Sequence, residues 1–167
     1  MAATACTRAP SRPGTEGVLT GIDALQRSGF APLHGRRVGL VTNQTGINRE
    51  GVSDAQLLAA APSVELVALF SPEHGFRGTE DAGEQIQNQV DKTTGVPVIS
   101  LYDDHYKPTK EELTSIDIVL FDIQDVGVRF YTYISTLTYV MEACTEQGIP
   151  IIVLDRPNPN GDYVDGR

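Results

Sequence analysis

The stretch IDIVLFD, residues 116–122, decides the fold. A strand with one wet face alternates apolar and polar side chains, whereas Ile118, Val119, Leu120 and Phe121 follow one another without a break. Such a run needs cover on both faces, as strands of a parallel sheet have when crossover helices pack above and below them. As the most hydrophobic strand of the chain, it is expected at the centre of the sheet.

Four other compact apolar runs flank it: RRVGLVTN (36–43), VELVALF (64–70), PVISLY (97–102) and IPIIVLD (149–155). Helical signals fall between them. Thr20 is placed to cap a short helix, with Asp23 at its third position beside the positive amino end. Ser53 with Gln56, and Thr109 with Glu112, have the three-residue spacing of a capping box. Ile134, Leu137, Met141 and Cys144 recur at helical spacing as an apolar stripe, which assigns Cys144 to the core, and Gly148 is placed to end that helix. Strands and helices therefore alternate, which predicts an α/β fold with a mostly parallel, doubly wound sheet, its five strands in the order third, second, first, fourth, fifth.

The 167 residues and 40% hydrophobic content suit one domain with a sizeable core. Lys and Arg number 13 against 22 Asp and Glu, and the formal charge of -9 argues against nucleic acid or an anionic membrane as the main partner. No apolar run is long enough to span a bilayer. Residues 1–19 read as a disordered leader before a domain over 20–167. Cys6 within it is either the remnant of a lipid-anchor site or a chance cysteine. DRPNPNGDYVDGR (155–167) stops without a closing helix or strand, so the natural protein is expected to continue. Nothing in the sequence specifies an oligomeric state.

In open parallel sheets, ligands bind beyond the carboxyl ends of the strands. The first run exits into Asn43 and Gln44, the second into Glu73 and His74, the fourth into Asp122, Gln124 and Asp125, and the fifth into Asp155, Arg156 and Asn158. Any one of these can serve merely to cap a helix or satisfy a turn. Their concentration on one rim argues for a site. SPEHGFRG (71–78) joins an acid, an imidazole and a guanidinium in a glycine-flanked loop, and Glu73 beside Phe76 suits general-acid work through a raised pKa. The alternative is an ion pair of Glu73 with Arg77.

Three histidines, His34, His74 and His105, show no ligand spacing, so a metal is not expected. The rival chemistry is Mg²⁺ held by Asp122, Asp125 and Asp155 for phosphoryl transfer. The first strand–helix turn, NQTGINREG (43–51), is not a G-x-G-x-x-G loop, and neither a phosphate loop nor a nucleophile elbow occurs. No cofactor is therefore expected. Phe130, Tyr131 and Tyr133 suit either core packing or a platform for a sugar face, and Arg129 has the planar fork that pairs with a carboxylate.

Four segments, VTNQTG (41–46), SPEHGFRG (71–78), FDIQDVGVRFYTYISTL (121–137) and LDRPNPNG (154–161), together resemble the bacterial exo-β-N-acetylmuramidase family, formerly a domain family of unknown function. The likeness covers nearly everything from Gly21 to Gly166. It implies a Rossmann-like three-layer catalytic domain followed by a smaller carboxyl-terminal domain that helps to form the cleft. It also implies release of non-reducing terminal N-acetylmuramic acid from muropeptide or peptidoglycan-derived disaccharides, in the bacterial cell envelope. On that reading Glu73 is the general acid, and either Asp125 or Asp122 activates water or the substrate's own acetamido group acts as nucleophile. His74, Asn43, Gln44, Gln124, Tyr131, Asp155 and Asn158 are expected to bind and orient the sugar, and Arg77, Arg129 and Arg156 to meet its lactyl carboxylate.

Overall fold

A computed structural model describes residues 17–72 and 89–161. Five parallel strands, β1 (Arg37–Thr42), β2 (Glu65–Ser71), β4 (Pro97–Ser100), β5 (Ile118–Asp122) and β6 (Ile151–Val153), form most of one sheet. A two-residue strand, β3 (Gln89–Val90), pairs antiparallel with β4. The order is β3-β4-β2-β1-β5-β6, so the five apolar runs lie in the order third, second, first, fourth, fifth. The added edge strand carries two exposed residues and no apolar run, which is why the sequence does not announce it. IDIVLFD lies inside the sheet with all five residues of β5 buried, but the centre of the doubly wound order is β1, from which the chain winds first one way and then the other.

The pleat sends successive side chains to opposite faces. Leu40, Leu69 and Leu120 join one buried cluster with Ile22, Leu25 and Leu58, while their neighbours Val41, Phe70 and Phe121 join a second with Leu113 and Val140. The first cluster lies under α1 (Gly21–Arg27) and α2 (Asp54–Ala59), and the second under α3 (Lys110–Leu113) and α4 (Tyr133–Gln147). Each fully buried Leu or Phe contributes roughly 1.5–3 kcal/mol by leaving water. Two apolar layers on one sheet explain why the strands do not alternate.

The caps form at the expected helix starts, as full capping boxes on two of the three and as the serine half alone on α2. Thr20 and Asp23 make a reciprocal capping box on α1, and Thr109 and Glu112 do so on α3. Ser53 accepts from the Gln56 N–H, and Gly148, at φ 68°, closes α4 in the left-handed region. The buried stripe of α4 is rotated from the expected one. Cys144 is buried with Val140 and Ala143, and Tyr133 and Leu137 pack on the same cluster, but Ile134 and Met141 are exposed. The two stripes share Leu137 and Cys144 and differ at two positions, each by a shift of one residue, so only the sheet beneath selects between them. Residues 1–16 of the expected leader lie outside the described residues, as does the segment that begins at Glu73.

Candidate active site

β1 is followed by α2 on one face and β5 by α4 on the other, so the loops leaving these adjacent strands diverge and open a crevice at the carboxyl edge. Thr42 and Asp122, the last residues of the two strands, lie directly opposite each other there.

Beneath the crevice lies a buried acid cluster. Arg156, on the loop after β6, grips Asp122 with two hydrogen bonds: Nε donates to Oδ1 at 2.5 Å and Nη2 to Oδ2 at 2.9 Å. Nη2 also donates to the Ile47 carbonyl at 3.0 Å. Burial pushes the Asp122 carboxyl above the usual carboxylate range, and the guanidinium opposes that rise. The pair is therefore a brace between the β5 and β6 loops, with both side chains almost wholly out of solvent.

Asp54, the first residue of α2, completes the cluster and carries no local sign of its role in the sequence. It reads there as an ordinary acid in a helix's first turn, and only the fold buries it against Thr42. Burial first, and the neighbouring Asp122 second, push its pKa well above the usual range. Thr42 Oγ1 lies 2.5 Å from Asp54 Oδ2 and 3.0 Å from the Asp122 carbonyl oxygen. One hydroxyl has one proton, and the raised pKa of Asp54 favours the arrangement in which Asp54 donates to Thr42 and Thr42 to the Asp122 carbonyl. Gly46 covers the pair so closely that a Cβ there would fall on Thr42 Oγ1 and the Asp54 carboxyl. Asp23 is buried nearby but behaves oppositely. Burial disfavours its charge, yet hydrogen bonds from the Arg49 and Thr20 amides and the Thr20 hydroxyl outweigh that and hold its pKa below the usual value.

The rim is tied across by polar side chains. The Gln124 N–H donates to Thr45 Oγ1 at 3.0 Å, and Thr45 Oγ1 and N–H donate to Asn43 Oδ1 at 2.6 and 2.9 Å. Gln124 Nε2 donates to the Asp125 and Pro157 carbonyls, and Asn160 Nδ2 to the Val126 carbonyl. Asn158 lies against Gly127, whose φ of 70° favours glycine. Gln124 and Asn158 thus act first as scaffold for the β5 and β6 loops. Asp125 is exposed and accepts from the Gly127 N–H.

Further out, Gln44, Arg129 and Asp155 are exposed, and Asp155 also serves through its carbonyl, which accepts the Gly21 N–H at the start of α1. Phe130 and Tyr131 stand 81% and 41% exposed with ring centroids 5.8 Å apart, a surface position rather than core packing. Tyr133 packs inward against the second cluster. Glu73, His74 and Arg77 lie outside the described residues.

Among the described residues, cavities open near this edge. A polar one of about 240 Å³ is lined by Asn43, Gln44, Ile47, Ser53, Gln56 and Asp91, among others. A larger one of about 370 Å³ lies between the end of β4 and the start of α4, with Tyr102, Tyr106, Ser135 and Tyr139 in its wall. Among the described residues no three His, Cys, Asp or Glu side chains come together as metal ligands, and Asp122 is already committed to Arg156. None of the described helices is long and apolar enough to cross a membrane.

The fold defines a doubly wound α/β domain of the Rossmann-like type, with the candidate crevice at the switch point of the strand order. The chain belongs to the family described as exo-beta-N-acetylmuramidase NamZ, N-terminal, whose model matches residues 38–167. It is 51% identical over 150 residues to the peptidoglycan beta-N-acetylmuramidase NamZ of Bacillus subtilis, covering 89% of this chain and 36% of that protein. Two crystal structures of DUF1343 family proteins from Bacteroides fragilis are similar. One is 49% identical with a TM-score of 0.76 over 84% of this chain and 35% of its own, and the other 39% identical with a TM-score of 0.70 over 89% and 37%. The chain thus spans little more than a third of the length of the relatives it matches.

Proposed function

We propose that this chain is the catalytic Rossmann-like domain, over residues 20–167, of an exo-acting glycoside hydrolase. It releases non-reducing terminal N-acetylmuramic acid from peptidoglycan fragments in the bacterial cell envelope. The observation that carries the reading is the 51% identity to a peptidoglycan beta-N-acetylmuramidase, in a chain whose polar rim lies at the switch point of its sheet.

Glycoside cleavage needs a proton at the leaving oxygen and a second group at the sugar's anomeric carbon. Glu73, two residues beyond the end of β2, is assigned as the acid. As the C1–O bond breaks, its proton passes to the leaving oxygen and the electron pair of that bond leaves with the aglycone. Water then adds at C1 and gives its proton either to Asp125 or, after attack by the acetamido oxygen, back to the deprotonated Glu73. Asp122 is assigned to positioning, since its charge is spent on Arg156. Arg129 is exposed and is assigned, with Arg77, to the lactyl carboxylate, and Tyr131 with Phe130 to the sugar face. His74, Gln44 and Asp155 are assigned to orientation of the bound sugar. The scheme requires no cofactor.

The test is hydrolysis of a chromogenic β-N-acetylmuramide by the full-length gene product and by its Glu73→Gln variant, with the N-acetylglucosaminide as control. Muramide-selective turnover lost in the variant is the expected result. Binding of the muramide without turnover by a well-folded wild type would instead mark a sugar-binding protein.

A further inference from the structure

Asn43 Nδ2 is, among the described residues, the one buried side-chain nitrogen or oxygen with no hydrogen-bond partner. The residue is 3% exposed, so bulk water reaches its amide poorly. Buried polar groups are nearly always paired, and an orphan at a site needs an explanation. A rotation of the amide does not remove it. Thr45 donates to Oδ1 twice, through its N–H and its hydroxyl, and the hydroxyl in turn accepts from the Gln124 N–H. Two hydrogen bonds donated to Oδ1, one of them backed by the Gln124 N–H, therefore hold the amide with its oxygen inward and its NH₂ unspent.

Asn43 lines the polar cavity of about 240 Å³ at the β1–α2 loop. That volume is below the roughly 300 Å³ at which pockets begin to hold drug-sized ligands, so it suits one substituent or part of one sugar ring. The described lining contains amides and hydroxyls from Gln44, Ser53 and Gln56, one acid, Asp91, and no Lys or Arg. An anion is poorly served there. A neutral oxygen that accepts a hydrogen bond is well served.

We infer that Asn43 is the specificity residue for the 2-acetamido group of the sugar, its Nδ2 donating to the acetamide carbonyl oxygen inside this cavity, with the lactyl carboxylate directed elsewhere. The inference rests on the glycosidase reading for the identity of the ligand, but the fixed orphan donor and the absence of Lys and Arg from the described lining stand independently. Asn43 acts as a binding and positioning residue. Gln124 supports it through Thr45, which links the two loops of the crevice.

The experiment is calorimetric titration of the full-length gene product at pH 8 with N-acetylmuramic acid and with its 2-hydroxy analogue, 3-O-lactylglucose. Wild type, Asn43→Asp and Asn43→Ala are compared. The aspartate keeps the oxygen that accepts from Thr45 and removes the NH₂. The expected result is a wild-type preference of about tenfold or more for the acetamido sugar, collapsing to near unity in both variants while the analogue binds within about twofold of its wild-type affinity. Equal wild-type affinities for the two sugars overturn the proposal without recourse to a variant, as does a preference that survives in either variant. Those outcomes leave the glycosidase reading intact. Absence of binding of either sugar to the wild type overturns both.

Discussion

Replacing Arg156 with methionine is the sharpest probe of how the crevice is built. The guanidinium makes two hydrogen bonds to Asp122 and one to the Ile47 carbonyl, with 7% of its side chain and none of the Asp122 side chain exposed. Methionine fills much of the volume but leaves a buried carboxylate without its cation. Breaking such a pair from one side costs about 3–5 kcal/mol, against a total stability of roughly 5–15 kcal/mol for a domain. For a domain of this size each kcal/mol moves Tm by about 2–4 °C, so a fall of about 6–20 °C is expected. The loss has a definite pH dependence. Without Arg156 the folded pKa of Asp122 rises further above its unfolded value, so its favourable contribution is complete below about pH 4 and is lost as pH climbs through the folded pKa. Urea melts at pH 5 and pH 8 should therefore show the larger deficit at pH 8. Adding Asp122→Asn should recover most of it by removing the stranded charge. A deficit under about 1 kcal/mol at pH 8, or one that grows toward pH 5, would refute the brace.

Other consequences are direct. Asp54→Asn keeps a donor for Thr42 Oγ1 and an acceptor for the Ala55 N–H. Because the folded pKa of Asp54 is raised, wild type loses stability as pH rises above the unfolded value of about 4, at about 1.4 kcal/mol per pH unit until the folded pKa is passed, and the variant does not. Its Tm should exceed wild type at pH 8, the gap closing toward pH 4; a lower Tm at pH 8 in a folded variant would contradict a neutral Asp54. Gly46→Ala drives a methyl into Thr42 and Asp54, and should cost about 1–3 kcal/mol in denaturant melts, whereas an unchanged midpoint would show that the loop yields freely. Burial pushes the Cys144 thiol up to about 11, so in a Cys6→Ser background it should resist a thiol reagent at pH 8 until the protein is unfolded. Fast labelling of the native protein would mean that α4 opens locally.

The parts of the fold that follow from periodicity were legible before the structure. Five unbroken apolar runs imply a sheet covered on both faces, and the clusters containing Leu40 and Val41 are those two covers. Capping residues located the starts of α1, α2 and α3, because a cap is a contact between residues three apart. What depends on contacts between distant residues was less legible. Tyr133, Leu137, Val140 and Cys144 compete with Ile134, Leu137, Met141 and Cys144 as the buried face of α4, and the sequence offers both at helical spacings of three and four. The site divides in the same way. Strand ends identified Asn43, Asp122, Asp125 and Arg156 as neighbours of one edge, but nothing local says that Arg156 spends its fork on Asp122. Asp54 was invisible because its burial is created by Thr42 and Asp122 from two strands and Gly46 from the loop after β1.

The central claim is exo-acting cleavage at a terminal muramic acid residue. Its most direct measurement uses two peptidoglycan-derived disaccharides of opposite order, one with N-acetylmuramic acid at the non-reducing end and one with N-acetylglucosamine there. The full-length gene product should release free N-acetylmuramic acid, identified by mass, from the first and leave the second intact. Cleavage of both at similar rates, or of neither by a folded protein that binds them, would contradict the claim.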